Sequence, residues 1–305
     1  MTQPTNHKSE IRVVVLDVDG TLLNSDHAIT PRVAETLKTA VAKGVQIVLA
    51  TGKTRYSTLK LLDELGIRTP GIYLQGLAIY DAGGAVLQQL TLEPSLVRQV
   101  VTFGEDRGFT MMLYSGERIL VRSRDEQLEA RFALYHEIAP EAIGALQNVV
   151  GTLPINKVIA VGAPRAVTAL RWQLTLQVGG AGRIMQAGVP EMLELLPPGA
   201  SKGWALRQLL KIIKVDAAHV MAVGDAENDI EMIQLAGVGV AMGQAAQDVK
   251  DAADYVTASN DADGVADAFE RFVLTKPESE QAEARAEGEA PVVIEPADKT
   301  EEAAS

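Results

Sequence analysis

Hydrophobic runs of strand length alternate with amphipathic segments in the first part of the chain. The run "IRVVVL" (residues 11–16) is continuously apolar, which is typical of a strand buried on both faces of a sheet. A helix is predicted after it, with Thr30 as N-cap, Pro31 at the first helical position and Gly44 beyond its end. The pattern continues as strand, helix and strand: "VQIVLA", "KTRYSTLKLLDELG" and "GIYLQ". This alternation predicts a parallel sheet with helices on both faces.

The pattern changes after Gly83-Gly84. Between residues 85 and 196, short apolar runs are joined by short turns such as "YSGER", and longer amphipathic segments lie among them. This mixture predicts a partly antiparallel sheet with helices, an α+β arrangement. The predicted strands are "TMMLYS", "RILVR", "NKVIAV" and "EMLELL", and the predicted helices are "PSLVRQVVTFGEDRG" and "PRAVTALRWQLTLQV".

Helix and strand alternate again after residue 196, in the order "SKGWALRQLLKII", "HVMAVG", "ENDIEMIQLAG" and "VGVAM". The simplest account is one domain split by an insertion. We therefore predict a Rossmann-like, parallel three-layer α/β/α core domain (residues 11–82 and 197–274) with an inserted α+β domain (83–196). A disordered N-terminus (1–10) and an acidic, disordered tail (275–305) complete the predicted organisation.

The composition narrows the class of protein. Of the 305 residues, 47% are hydrophobic, which is enough for two domain cores. The sequence has no cysteine, which excludes disulfides, thiolate zinc sites and a cysteine nucleophile and fits a cytoplasmic location. Neither an apolar run of about 18 residues nor a secretory signal occurs, so we expect no membrane partner.

The formal net charge is −12, and residues 276–305 supply −6 of it with nine acidic and three basic residues. The rest of the chain is therefore only moderately acidic. Binding to nucleic acid requires clustered lysines and arginines, so we expect no nucleic-acid partner. The sequence leaves a monomer and a homodimer equally open.

Two aspartates follow the first predicted strand in "VVVLDVDGTLLN". Asp17 and Asp19 are two residues apart, a spacing that places both side chains on one side of an extended chain. An ordinary Asp-Gly turn is one interpretation. An EF-hand loop is excluded, because Leu22 and Ala28 stand where that loop needs glycine and glutamate. The alternative is that a positive group binds here.

A second acidic segment, "GDAEND", follows the predicted strand "HVMAVG". Asp225 ends the strand and Asp229 lies one helical turn later. Acidic residues are common at a helix start, but that does not explain why Asp17 and Asp19 end at the same edge of the sheet. Four converging carboxylates need a hard cation, and oxygen ligands point to Mg²⁺.

Two further segments could bind an anion. Thr51 and Gly52 end the second strand before a predicted helix, so a hydroxyl and free amides would lie at a helix N-terminus, although Thr51 could be a plain N-cap. Lys202 follows the predicted N-cap Ser201, where a cation opposes the helix dipole, although a solvent-facing lysine is the common case. Together with the carboxylates, these groups predict a phosphoryl-transfer site.

The motifs "DVDGT", "ATG", "SKGWAL" and "GDAENDIEM" occur in the order found in the haloacid dehalogenase superfamily, which the sequence resembles. It is most similar to the Cof-type branch, whose large α+β cap (type IIB) lies between the second and third motifs. The resemblance covers residues 11–274, and "VAMGQA" and "SNDADGVA" add to it. It implies that residues 83–196 are a cap that selects the substrate.

The resemblance also implies roles for the aspartates. Asp17 would attack phosphorus to form an aspartyl-phosphate, and Asp19 would protonate the leaving alcohol and then activate water. Asp17, the backbone carbonyl of Asp19, and Asp225 would hold Mg²⁺, with Asp229 supporting the site. An acid two residues after the nucleophile is typical of the phosphatases and phosphomutases and is lacking in the true dehalogenases.

For phosphate binding, the resemblance implies Thr51, Gly52 and Lys202, with Asn228 contacting phosphate or metal-bound water. Two positions depart from the branch: Lys53 replaces the arginine of T-G-R, and Gln75 replaces an asparagine before glycine.

These observations predict an Mg²⁺-dependent phosphatase acting on a small phosphorylated metabolite. The resemblance implies sugar phosphates and flavin- or pyridoxal-type phosphates as substrate classes. A phosphomutase of the same superfamily is one alternative. A non-catalytic phospho-acceptor or sensor domain is another, since receiver domains also combine acidic residues with a threonine and a lysine.

Overall fold

The structure is a computed structural model that describes residues 10–134, 137–186 and 189–275. The described residues up to Val273 form one compact unit. Almost all of the two predicted tails, residues 1–10 and 275–305, lies outside the described residues. Within the described ranges, no helix combines the length and the apolar character that a membrane crossing requires.

The described residues contain fourteen strands and nine α-helices. The strands are β1 (Val13–Leu16), β2 (Gln46–Leu49), β3 (Gly71–Tyr73), β4 (Ala78–Tyr80), β5 (Val86–Gln89), β6 (Thr110–Ser115), β7 (Arg118–Val121), β8 (Glu141–Ala142), β9 (Lys157–Val161), β10 (Arg183–Gln186), β11 (Met192–Leu196), β12 (Val220–Gly224), β13 (Val238–Ala241) and β14 (Tyr255–Val256). The helices are α1 (Pro31–Ala42), α2 (Leu59–Glu64), α3 (Pro94–Glu105), α4 (Glu126–Leu134), α5 (Pro164–Val178), α6 (Lys202–Ile213), α7 (Ile230–Leu235), α8 (Gln247–Asp251) and α9 (Gly264–Phe269).

A five-stranded sheet has the order β14-β13-β12-β1-β2, and all of its pairings are parallel. Every residue of β1 is buried, as the continuous apolar run predicts. Val13 and Val15 pack against α6, while α1 contacts β2 and α9. The predicted parallel sheet between helices, in a mixed α/β fold, is therefore confirmed.

The segment after α2 departs from the predicted pattern. "GIYLQ" was expected to continue the parallel sheet, but β3 pairs antiparallel with β4, and β4 with β5. A single parallel bridge between Ala50 and Ile72 joins this three-stranded sheet to the end of β2. β4 is buried and follows β3 closely in sequence, so it pairs with β3 as a hairpin in place of a longer parallel pairing between β3 and β2.

A six-stranded sheet has the order β10-β11-β9-β6-β7-β8 and is antiparallel except between β7 and β8. One of its faces packs with α3 and α5 in a hydrophobic core. Its other face packs against β3, β4 and the turn between them. The predicted α+β arrangement between the two parts of the parallel sheet is thus present in the structure.

Candidate active site

Two aspartates meet because their strands are neighbours in the parallel sheet. β1 pairs with β12 in a register that sets Leu16 beside Val223, and the Asp17 amide donates to the Val223 carbonyl oxygen at 3.1 Å. Asp17 and Asp225 therefore leave the same edge of the sheet. The Thr21 hydroxyl donates to Asp225 Oδ1 at 3.2 Å, which ties the two strand ends together.

Lys202 lies between two carboxylates. It is the first residue of α6, and the Ser201 hydroxyl caps that helix by accepting from the Trp204 amide. The Lys202 ammonium donates to Asp17 Oδ1 at 2.5 Å and to Asp229 Oδ1 at 2.7 Å, and the residue is only 1% exposed. The alternative of a solvent-facing lysine is wrong, because the two anions outweigh the unfavourable helix dipole.

Asp229 lies at the end of a short 3₁₀ turn, Glu227–Asp229, that precedes α7. Its Oδ2 accepts hydrogen bonds from the amides of Asp225 and Ala226, both at 3.1 Å. Its Oδ1 binds Lys202, so both oxygens are held. The carboxylate is completely buried, and these contacts fix its direction.

The surroundings shift three of these pKa values. Burial raises the pKa of Asp17 to about 8; the Lys202 ammonium opposes the shift, and the Asp229 and Asp225 carboxylates add to it. Burial and Asp229 raise the pKa of Asp225 to about 6. Burial lowers the pKa of Lys202, but Asp17 and Asp229 together raise it above its ordinary value. The cluster thus carries more negative charge than one ammonium can balance.

The carboxylates of Asp17, Asp225 and Asp229 each offer one oxygen, and these oxygens lie within 4.8 Å of one another. Oxygen donors of this kind suit a hard divalent cation such as Mg²⁺. Gly20 makes room for the group: its φ is +83°, and a Cβ there would lie 2.5 Å from Asp225 Oδ2. These residues therefore fit a divalent cation. The Lys202 ammonium would lie beside that cation as a second positive charge.

The Asp19 carboxylate stands apart from this group. Its side chain is 39% exposed, and the Lys53 ammonium lies 2.8 Å from its Oδ1. Lys53 occupies the position of the arginine that the Cof-type pattern has. In this chain, that cation is the direct partner of the predicted acid–base residue.

Thr51 and Gly52 lie in a loop after β2, and the prediction of a helix N-terminus directly after them is wrong. The next 3₁₀ turn begins at Tyr56, and α2 begins at Leu59. The carbonyl oxygens of Thr51 and Lys53 accept from the amides of residues 75 and 74, so this backbone is committed to the neighbouring segment. Thr51 is buried, and its hydroxyl accepts from the Lys53 amide at 3.2 Å.

Gln75 joins this loop to Asn228. It has a left-handed backbone with φ of 63°, and its Oε1 accepts from Asn228 Nδ2 at 2.7 Å. A Cβ on Gly52 would lie 2.6 Å from Gln75 Nε2, so the glutamine side chain runs directly along that glycine. Asn228 Oδ1 is buried and has no hydrogen-bond partner among the described residues. The amide pair therefore presents one unused acceptor beside the loop.

The structure brings two further charged residues to the loop that carried no sequence prediction. Lys157 of β9 lies 3.4 Å from the Gly52 carbonyl oxygen and 3.0 Å from Glu194 Oε1 of β11. The signal for them was a charged residue inside each of two apolar strands, "NKVIAV" and "EMLELL".

Comparison with known sequences gives relatives for almost the whole body of the chain. A family described as haloacid dehalogenase-like hydrolase matches residues 14–269. The chain is 32% identical over 278 residues to a chloroplastic endoribonuclease, YBEY, of Arabidopsis thaliana, a match that covers 88% of this chain and 47% of that protein. It is 27% identical over 278 residues to the phosphatase YwpJ of Bacillus subtilis, covering 84% and 98%. The chain thus spans about half of the plant relative and nearly all of the bacterial one.

Comparison with solved structures gives the same family as the sequence comparison. The crystal structure of a haloacid dehalogenase-like hydrolase from Bacteroides thetaiotaomicron matches with a TM-score of 0.79 and 31% sequence identity. The match covers 86% of this chain and 99% of that chain. The likeness therefore extends over the parallel sheet and the six-stranded sheet together.

Proposed function

The chain belongs to the haloacid dehalogenase-like hydrolases, as a Cof-type phosphoric monoester hydrolase, and from this premise we propose how and on what it acts. It is an Mg²⁺-dependent phosphatase that hydrolyses small phosphorylated metabolites through an aspartyl-phosphate intermediate. The observation that carries the proposal is the convergence of Asp17, Asp225 and Asp229 around one buried lysine.

In the first step, a carboxylate oxygen of Asp17 attacks the phosphorus, and the bond between phosphorus and the leaving oxygen breaks. Asp19 donates a proton to that oxygen, so the product leaves as a neutral alcohol. The nucleophile must be ionised, and the Lys202 ammonium beside Asp17 favours that form, as the metal would when bound. Asp19 is partly exposed and lies beside Lys53.

In the second step, Asp19 takes a proton from water, and the water oxygen attacks the phosphorus of the aspartyl-phosphate. The bond between phosphorus and the Asp17 oxygen breaks, which releases phosphate and restores the carboxylate. Lys202, Thr51 and Gly52 bind the phosphoryl oxygens in both steps, and the buried acceptor of Asn228 takes a hydrogen bond from a water or a phosphate hydroxyl.

Asp17, Asp225 and the backbone carbonyl of Asp19 are the residues that would hold the metal, with Asp229 supporting the site. When bound, Mg²⁺ offsets the charge of the phosphoryl group and of the nucleophile. Asp229 is already bound to Lys202 and to two amides, so its contribution is to orient the lysine and to add charge.

The inserted segment, residues 83–196, is proposed to be the cap domain, and residues 11–82 and 197–274 the core. The cap would exclude bulk water from the site and select the substrate. Sugar phosphates and flavin- or pyridoxal-type phosphates are the proposed substrate classes. We propose that the enzyme acts in the cytoplasm, as a monomer or a homodimer.

The test is release of free phosphate from a panel of phosphorylated metabolites, with Mg²⁺ and with EDTA. We expect release that requires the metal and concentrates on a few related compounds. Asp17→Asn should abolish it, because an amide is a poor nucleophile and a poor metal ligand. Asp26→Asn is the matched control, because it makes the same exchange at an exposed aspartate nearby and should leave turnover unchanged.

Substantial turnover by Asp17→Asn would falsify the nucleophile assignment, and release that persists in EDTA would overturn the metal. A folded enzyme that releases no phosphate but isomerises sugar phosphates in the presence of a bisphosphate would be a phosphomutase. A stable phosphorylated Asp17 without turnover would make it a phospho-acceptor.

A further inference from the structure

Two charged side chains interrupt an apolar face of the six-stranded sheet. Alternate residues of β9 and β11 face β3, β4 and their turn, and Ile159 and Leu196 belong to the hydrophobic core there. Lys157 and Glu194 lie on the same face of the same strands, where they are the only charged residues of β9 and β11. Their exposed fractions are 3% and 4%, so both are buried, and Lys157 lies against the loop after β2.

The hydrogen bonding of this pair is incomplete. The Lys157 ammonium lies 3.0 Å from Glu194 Oε1 and 3.4 Å from the Gly52 carbonyl oxygen, and it stands 4.5 Å from the centre of the Tyr114 ring. An ammonium has three donors, so one N–H is left over. Glu194 Oε2 is buried and has no hydrogen-bond partner among the described residues. A free donor and a free acceptor therefore belong to one ion pair.

Stability does not explain such a pair. Replacing a buried ion pair by apolar residues is often neutral or stabilising, because desolvation offsets the attraction between the charges. An unpaired buried acceptor is a further cost to the fold, and such atoms are rare in native proteins. Lys157 also reaches across to Gly52, 105 residues away in sequence, in the loop proposed to hold the phosphoryl group. The position of the pair against that loop indicates a role in binding.

We propose that Lys157 and Glu194 determine specificity by binding a hydroxyl group of the substrate's leaving alcohol. The hydroxyl donates its proton to Glu194 Oε2 and accepts from Lys157 Nζ, which completes both sets of hydrogen bonds. Because the pair has no net charge, it favours an uncharged, hydroxylated group over a second anionic group. This inference rests on the proposed phosphatase function and names the cap residues that recognise its substrate.

The experiment compares kcat/KM for two phosphomonoesters, glucose 6-phosphate and phenyl phosphate, in the wild type and in Glu194→Gln with Mg²⁺ present. The amide keeps the shape of the side chain but weakens the charged acceptor. We expect the ratio of the two kcat/KM values to fall at least tenfold against glucose 6-phosphate, mainly through KM. Lys157→Met should shift the ratio in the same direction, and Lys157→Arg should restore part of it.

Glu141→Gln is the matched control, because Glu141 pairs with Arg118 on the same sheet at 2.8 Å but is about half exposed. It should leave the ratio unchanged. Equal losses on both substrates, or no loss on either, would overturn the inference in favour of a purely structural pair. If Glu194→Gln does not fold, the double variant Lys157→Met/Glu194→Leu removes the pair without leaving a lone charge, and the same ratio decides.

Calorimetric binding separates this inference from the phosphatase proposal. If the wild type hydrolyses neither ester, the proposed function fails, and binding of glucose 6-phosphate is then compared directly. Weaker binding by Glu194→Gln than by the wild type would still support the role of the pair. Equal binding, or no binding to the wild type, would overturn it.

Discussion

Lys202 is the buried cation of the candidate active site, and its two neighbours are carboxylates. Asp17 Oδ1 and Asp229 Oδ1 hold its ammonium from two sides, and all three residues are more than nine-tenths buried. A buried charge is stable only when it is paired, and here one cation serves three carboxylates. The folded chain thus places more negative than positive charge here, so we expect the site to depend on pH and on a metal ion.

The first prediction at this scale concerns pH and Mg²⁺ together. Burial raises the pKa of Asp17 to about 8 and of Asp225 to about 6, from the ordinary value of 3.8. The carboxyls of Asp17 and Asp225 thus bind protons more strongly in the folded, metal-free protein than in the unfolded chain. The stability that this protonation contributes is complete below pH 4 and is lost as pH rises through 6 and then 8. A cation needs the deprotonated oxygens, so its stabilising effect should grow over the same range.

Thermal unfolding with EDTA and with millimolar Mg²⁺ measures this effect. We expect the gain in Tm from Mg²⁺ to be larger at pH 8 than at pH 6. In Asp225→Asn the gain should be small at every pH, because one ligand and one titrating group are gone. A gain in the wild type that does not change with pH would contradict the prediction.

At the scale of elements, one turn sets the distance between β3 and α6. Residues 74, 75 and 76 all have a positive φ, and the last of them, Gly76, has φ of +90°. A Cβ on Gly76 would lie 2.2 Å from the Ser201 carbonyl oxygen, which is backbone and cannot move aside. The turn can therefore approach the start of α6, where Lys202 begins, only without a side chain.

Gly76→Ala should consequently cost more than backbone strain alone. Gly44 is the matched control, because its φ is +85° and nothing lies within 4 Å of a Cβ there. Gly44→Ala should lower the free energy of unfolding by about 1–2 kcal/mol, the cost of a left-handed residue. Gly76→Ala should lose roughly 1–3 kcal/mol more from overpacking. Urea denaturation of the two variants makes the comparison, and equal losses would show that the turn can move away.

The sequence predicted those elements whose pattern is long and regular. The "TMMLYS" strand and the "PRAVTALRWQLTLQV" helix have the predicted bounds, and α6 begins after its predicted cap. The segment "KTRYSTLKLLDELG" was predicted as one helix, but it begins as a loop, in which the Lys53 carbonyl oxygen accepts from the distant Leu74 amide. Short edge strands such as β8 and β10 lack a core pattern, since most of their residues are exposed or half-buried.

The same reasoning applies to the site. Strand ends in a parallel sheet share one edge, so Asp17 and Asp225 could be placed together from sequence. Lys157 and Glu194 could not, because they come from a different sheet and reach the site only through the packing of its face. Local sequence patterns therefore predict neighbours at strand ends of one sheet, but they carry no information on residues brought together by the packing of two sheets.

At the scale of the whole molecule, one carboxylate links the segment that carries the six-stranded sheet to the loop after β2. Glu137, between α4 and β8, accepts hydrogen bonds from the Thr54 hydroxyl at 2.5 Å, from the Thr54 amide at 3.3 Å and from the Ser57 hydroxyl. The Thr54 and Ser57 hydroxyls are themselves 2.8 Å apart. This contact holds the segment around Glu137 against the loop after β2.

Glu137→Ala should therefore loosen the loop. Losing hydrogen bonds to a charged group removes about 1.5–3 kcal/mol, so the Thr54 amide should exchange its hydrogen roughly 10–100 times faster. Hydrogen exchange of residues 51–58 measures this directly. Glu141→Ala, an exposed glutamate near it in sequence, should leave the exchange of these amides unchanged. Unchanged exchange in Glu137→Ala would show that the loop is held by other contacts.

The position of β1 between β2 and β12 has a consequence for synthesis on the ribosome. Val13 pairs with Gln46 on one side and with Val220 on the other. At about 5–20 residues per second, translation reaches β12 roughly 10–40 s after β1. During that time the apolar edge of β1 lacks its second partner, whereas the strands of the six-stranded sheet all lie between residues 110 and 196. The nascent chain can thus complete the six-stranded sheet first, and until β12 emerges one edge of β1 stays open to pairing with other chains.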